Sequence, residues 1–521
     1  MAEKVNATAK STSVDHSIET GSVVFDKAAV KDDVLLETMG YEQHMKRGFT
    51  MWSMIGFCLT GLGTIWFSMG YLGLASMVWG WFVAAFFIHA TVFNFAEFGS
   101  AYPTAGGLYY WTYLAAPKPV KKIACWITAW SMIISAAFGG ASMFLSQAQM
   151  LDAFVILFKP DWVPTTWQVY LVYLGNVILC GLCMALPSKV LSRISTACAW
   201  VGTVAFFIIL IAMPIMTPKH ATSKEIFTSM YNQTAWDNKF LVFCLTFLVP
   251  AWCISGYDST VHLSEETRNA SKVVPQAMWI STVSVAVLGW IFNIVLAYCT
   301  YNIDDVMDSY LGQPLGALLV SSMGNTNFAR FLWFCTVVSN FGVIFVMTTS
   351  GSRIYFAYAR DGALPFHKWM SHVNTVTKTP VNATITICTC IALIGLLYFA
   401  SETALNALFA GSSLAGSIAY VMPILMRAIN ENNPDWINGP FTLGRLGPPL
   451  RWIAILFTFF TIPIFSFPYH PNPTAEQFKW SVPVWLGIMA IVIPWYFFSA
   501  RKWFKGPVIA KILEGQQLHT E

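Results

Sequence analysis

Gly56-Phe-Cys-Leu-Thr-Gly-Leu-Gly-Thr64 and Ser255-Gly-Tyr-Asp-Ser-Thr260 interrupt two otherwise apolar stretches, and their placement decides the fold. The first puts Gly56, Gly61 and Gly63 into the first long apolar segment of the chain. The second puts Asp258 inside the sixth. A helix that spans lipid gains nothing from such breaks, because each freed backbone group in hydrocarbon costs several kcal/mol. Breaks are tolerated where they line a polar cavity. A pair of them at corresponding positions of two halves marks the solute site of a secondary transporter.

The composition agrees. Of 521 residues, 56% are hydrophobic and 11% charged, against roughly 25% charged in soluble domains. The chain therefore reads as an all-α polytopic membrane protein surrounded by lipid. A net charge of +4 gives no reason to expect nucleic acid. All eleven cysteines lie in apolar runs, where free Cys behaves as a small hydrophobe. Neither a disulfide framework nor a metal site is expected, and Cys180-x-x-Cys183 sits inside a membrane segment.

Twelve apolar segments are long enough to span roughly 30 Å of hydrocarbon. They lie near 48–68, 71–96, 122–151, 167–186, 191–213, 240–263, 277–301, 329–357, 381–400, 403–427, 451–468 and 481–500. Leu315–Met323 is too short to cross and reads as a half-helix between the seventh and eighth segments. Segments 1–5 and 6–10 form two five-helix halves of opposite orientation, each opening on a broken helix, with two helices added. Residues 1–47 form a polar N-terminal tail, predicted unstructured to about residue 35, with no cleavable secretory signal. Residues 48–500 form the twelve-helix transporter domain, and 501–521 a second tail.

Orientation follows from Lys and Arg. With both tails cytosolic, 24 of the 30 Lys and Arg fall on the cytosolic side. Only Lys159, Lys219, Lys224, Lys239, Arg330 and Lys479 fall outside. Asn232-Gln233-Thr234 is then the one well-placed glycosylation sequon. The sequons at Asn269 and Asn382 face the cytosol.

Three loop motifs carry a family resemblance. GYDSTVHLSEETRNASKVVPQAM (256–278) closely resembles the exit of the sixth helix in the amino-acid/choline transporter group of the amino acid–polyamine–organocation (APC) permeases. PTAGGLYYWTYLAAP (103–117) and SRIYFAYARDGALPF (352–366) are similar to that group's loops after the second and eighth helices. The likeness spans roughly 48–500 and is closest in flavour to fungal GABA and choline permeases. It implies a LeuT-like 5+5 inverted repeat plus two helices, alternating access, and a solute held between broken helices 1 and 6. A plasma-membrane location is expected, with a vacuolar or other internal membrane as the alternative. The implied cargo is a small amino acid, GABA, choline or a related amine, with an alkaloid-like metabolite as the alternative.

At the first break, the amides of Gly61, Leu62 and Gly63, helped by the Thr60 hydroxyl, are expected to receive a carboxylate at a helix N-terminus. Glycine allows the close approach. At the second, carbonyls near Cys253–Ser255, with Gly256 and Tyr257, are expected to receive an ammonium group. Trp252 resembles the aromatic that covers the site in related permeases, and its face suits a cation–π contact. Choline would instead need an aromatic box, for which Trp66, Trp252 and Tyr257 qualify.

An acid inside a membrane is costly and usually functional. Asp258 fits either a gate or a proton carrier. Glu97 ends the second segment, where a basic partner at the membrane face is the plainer reading. His89 and His262 titrate only if they are more than hydrogen-bonded. Ser339 and Asn340 interrupt the eighth segment, where relatives of the fold bind Na⁺. The fifth segment carries no Lys beyond Arg193, so proton coupling is expected on analogy, with Na⁺ as the alternative. Glu265 and Glu266, with Arg268 and Arg353 or Arg360, are expected to form exposed gate pairs at the cytosolic face. There is no phosphate loop, no Gly-x-Ser-x-Gly and no metal-spaced cluster, which argues against an enzyme. A channel or a nutrient sensor remains the rival, although a sensor would need a longer soluble tail.

Overall fold

Every described regular element is helical, the arrangement that satisfies backbone polar groups without water. The computed structural model describes residues 27–507 apart from 44, 46, 48–50, 52–68, 231, 233, 235, 308, 401, 435, 469, 470, 475–477 and 479. The chain begins with α1 (Lys27–Thr38), α2 (Met69–Ala101), the short α3 (Leu108–Ala115), α4 (Lys121–Ile156), α5 (Thr166–Met184) and α6 (Ser188–Met216). The sixth apolar segment follows in three pieces, α7 (Lys239–Leu245), α8 (Leu248–Cys253) and α9 (Ser259–His262). Then come α10 (Ala270–Cys299), the short α11 (Pro314–Met323), α12 (Asn327–Arg360) and α13 (Val381–Gly395). Last are α14 (Glu402–Ile429), α15 (Gly447–Ser466) and α16 (Ser481–Trp495).

Ten helical stretches among the described residues are long and apolar enough to cross a membrane. Of the twelve segments expected, the first lies outside the described residues apart from Met51. The sixth is divided, so no single helix of it spans. The break has local causes. Pro250 has no N–H to offer the Thr246 carbonyl, and the turn before it is tightened, with Phe247 N–H bonded to the Cys244 carbonyl at 3.1 Å. Beyond Cys253 the chain unwinds through Gly256, whose φ of +81° is open to glycine at little cost.

Two pairs of helices pack closely around this break. Gly289 of α10 admits Trp81 of α2, and an added Cβ there would stand 2.3 Å from the ring. Trp81 Nε1 donates to the Ala286 carbonyl and Trp290 Nε1 to that of Val78, at 2.8 and 3.1 Å. On the other side, α4 and α14 are joined by reciprocal serines. Ser135 Oγ donates to the Ser412 carbonyl at 3.1 Å, and Ser412 Oγ to that of Ser135 at 2.9 Å. Small residues at such contacts let membrane helices approach closely. Phe86, Ile215 and Ile491 point outward and are exposed, as lipid-facing side chains are.

Composition predicts disorder to about residue 35, yet 27–38 is helical and docked. Asp32 Oδ2 accepts from the Asn269 amide at 2.5 Å, and Arg47 pairs with Asp33 at 2.8 Å. Leu36, Met39, Tyr41 and Met45 are buried. Contact with the loops beyond α9 and α12, rather than intrinsic helicity, therefore holds this segment. Tyr41 donates to Asp361 Oδ2 at 2.9 Å, and the Arg360 guanidinium stacks 3.8 Å over the Tyr41 ring. Burial pushes the Asp361 carboxyl up to about 6.

Candidate functional site

The unwound stretch between α8 and α9 borders a cavity of about 120 Å³, well above the roughly 10–15 Å³ that admits one water. Trp252, Cys253, Ser255, Gly256 and Asp258 line it from the break, and Ser135, Asn340, Met347, Ser412 and Tyr420 from α4, α12 and α14. A second cavity of similar size lies across Trp252, Ser255 and Tyr420 and also touches Tyr257 and Thr91. Asp258 is the one acid or base among the described residues that line the two.

Geometry at the break is tight. An added Cβ on Gly256 would sit 1.9 Å from Met347 Cε. Ser255 Oγ donates to the Trp252 carbonyl at 2.6 Å. Among the described residues, no backbone N–H donates to the carbonyl of Ile254 or Ser255. A buried carbonyl without a donor is costly unless something else fills the place; Ile254 is buried and Ser255 partly so. The Tyr257 ring packs edge-on to Phe95 at 5.6 Å and near Tyr420 at 5.4 Å.

Asp258 is buried, not bathed in water at the membrane face. Tyr420 donates to its Oδ1 at 2.5 Å, and His262 Nε2 stands 3.4 Å from Oδ2. Tyr420 is not legible from the sequence around Asp258, since it lies 162 residues on. His262 is the fourth residue after Asp258, a spacing that puts both on one helix face.

The remaining candidates separate. Asn340 lines the cavity and donates to Gln147 Oε1 at 2.7 Å. Ser339, its neighbour, points away. It packs against Gly202 of α6, where an added Cβ would lie 2.1 Å from its Oγ, beside a separate cavity of about 30 Å³. Consecutive helical residues diverge by about 100°, so both cannot face one site. Thr60, Gly61, Leu62, Gly63 and Trp66 lie outside the described residues. Among the described residues no cluster suited to a metal ion occurs, and all ten described cysteines are free.

The acids expected to form exposed gate pairs are buried instead. Glu266 pairs with Arg353 at 2.7 Å with neither side chain exposed, and Glu265 with Arg360 at 3.0 Å. Glu265 Oε1 also accepts from the Ala105 amide at 3.0 Å. The loop after α2 covers these acids, which the spacing of the motif does not reveal. Glu97 finds the basic partner expected of it: Arg451 stands 3.3 Å away and also reaches Glu431. Asn232 is exposed, and its Oδ1 accepts from the Thr234 amide at 2.9 Å.

Residues 48–493 match the amino acid permease family, and the chain belongs to it. It is therefore a multi-pass membrane transporter for amino acids or amines, not an enzyme. It is 35% identical to an uncharacterized amino-acid permease of Schizosaccharomyces pombe, over 92% of this chain and 86% of that one. It is 31% identical to the GABA-specific permease of Saccharomyces cerevisiae, over 94% and 88%. It is 28% identical to a candidate polyamine transporter of Candida albicans, over 95% and 90%.

Proposed function

We propose that this permease moves a small amino acid or amine of the γ-aminobutyrate class by alternating access, coupled to protons, in the plasma membrane with both tails cytosolic. The observation that carries this reading is the pair of carbonyls, Ile254 and Ser255, that receive no backbone N–H among the described residues, at a helix break beside a cavity. A substrate ammonium meets these acceptors, with the Trp252 ring covering it. The substrate carboxylate meets the amides of Gly61–Gly63, with Leu62 and the Thr60 hydroxyl beside them. Asn340 fixes one wall through Gln147. The buried pairs of Glu265 and Glu266 hold the tail-side gate shut, and opening that gate requires them to part.

The test is transport by purified protein in proteoliposomes. Labelled γ-aminobutyrate is expected to show saturable uptake and counterflow, driven by an inward proton gradient at constant sodium. If γ-aminobutyrate, neutral amino acids, putrescine and choline all fail to show saturable counterflow, the reading is wrong.

A further inference from the structure

His262 has no freedom in how it uses its ring. Nδ1 lies 2.7 Å from the Ala105 carbonyl, and a carbonyl only accepts, so Nδ1 carries a hydrogen. Gly107, at φ +50°, leaves room for the ring: an added Cβ there would stand 2.8 Å from His262 Cε1. Nε2 therefore stands 3.4 Å from Asp258 Oδ2, with both groups buried, a contact within ion-pair reach that is not a hydrogen bond in this state. If neither atom held a proton, an imidazole lone pair would face a carboxylate lone pair out of water.

We propose that Asp258 and His262 share a single proton, and that this proton is the coupling ion of the transporter. The inference rests on the transport reading above and adds the residue that completes the carrier. Held, the proton sits on Nε2 as imidazolium beside carboxylate, or on Oδ2 as carboxylic acid beside imidazole; either way the couple is neutral. Released, it passes to water in the cavity that Asp258 lines, and the couple is left with one negative charge. Among the described residues, no Lys or Arg forms an ion pair with Asp258. The groups around the couple are the phenols of Tyr420 on α14, Tyr257 on the break and Tyr358 on α12, and Glu265 beyond the Ala105 amide. None of these groups is a cation.

The couple is also wired to the gate. Ala105 accepts from His262 through its carbonyl and donates through its amide to Glu265, which holds Arg360. Loss of the proton pushes Nε2 from Oδ2 and strains the same loop that anchors the gate pair. Protonation at the cavity and closure at the far end are thereby joined through one residue.

The test compares pH-gradient accumulation with counterflow of labelled γ-aminobutyrate in proteoliposomes, for the wild type and His262→Asn. Asparagine retains a hydrogen-bonding amide but neither gains nor loses a proton at these pH values. The variant is expected to lose accumulation, its internal-to-external ratio falling from many-fold to about one, while counterflow remains measurable. Accumulation by the variant equal to the wild type overturns the inference and leaves the transport reading intact. Accumulation that follows a sodium gradient at constant pH also overturns it. If the variant does not fold, infrared difference spectra of the wild type decide. Adding γ-aminobutyrate across pH 5–8 is expected to change an imidazolium or carboxylic-acid band, and no change in either overturns the proposal.

Discussion

Arg353 Nε meets Glu266 Oε1 at 2.7 Å, and neither side chain reaches solvent. Among the described residues each keeps a second polar atom without a partner, Arg353 Nη2 and Glu266 Oε2. Removing one member strands the other as a buried charge, at a cost of about 3–5 kcal/mol. Glu266→Gln or Arg353→Met should lower the melting temperature in detergent markedly. The double change to Met at both positions should recover much of the loss. A double variant no more stable than either single one would show that the pair is not the source of the effect.

Asp361 gives the folded protein a pH dependence of opposite sign to that of most carboxylates. Burial pushes its carboxyl up to about 6 from an ordinary value near 3.8. The folded protein keeps a proton there that the unfolded chain has given up between those values. This group's contribution to folding is therefore most favourable below about pH 4, weakens as pH rises to about 6, and is lost above that. The melting temperature in detergent should fall more steeply from pH 4 to 7 in the wild type than in Asp361→Asn.

Gly256 is needed both for its backbone angle and for its bareness. A side chain there meets φ +81° and Met347, and the left-handed conformation alone costs roughly 1–2 kcal/mol. Gly256→Ala should abolish γ-aminobutyrate counterflow. Adding Met347→Ala should relieve the collision but not the backbone strain, restoring only part of the rate.

Gly61 tests the half of the site read from sequence alone. Gly61→Leu should abolish uptake of γ-aminobutyrate. Uptake with an unchanged half-saturation would remove the carboxylate from the Gly61–Gly63 amides.

Asn232 tests orientation. In a eukaryotic host the protein should carry one glycan, lost on enzymatic deglycosylation and absent from Asn232→Gln. A glycan at Asn269 or Asn382 instead would invert the topology.

How much of this was legible beforehand differs from residue to residue. Hydropathy anticipated the ten spanning helices found among the described residues, because a segment must be long and apolar to cross lipid whatever it packs against. Asp258 and Gly256 were visible as a break, because no lipid-facing helix would tolerate them. Tyr420 was not, since a contact across 162 residues leaves no local trace. The Asp258–His262 spacing was visible, but the Ala105 carbonyl that fixes the ring is known only from the folded loop. Ser339 and Asn340 looked like one site, and helical rotation sent them to different neighbours. The buried state of Glu265 and Glu266 depends on the loop after α2, which sequence spacing does not position.

The crossed serines of α4 and α14 bear on how such a molecule can move. With Gly139 pressed to within 2.7 Å of Ser412 Oγ by the measure of an added Cβ, and Gly416 to 3.0 Å of Ser135 Oγ, these two helices have no room to slide. They form one stiff board along the cavity. Whatever rocking exposes the solute to either side of the bilayer must carry that board whole, and the sliding seam must lie elsewhere.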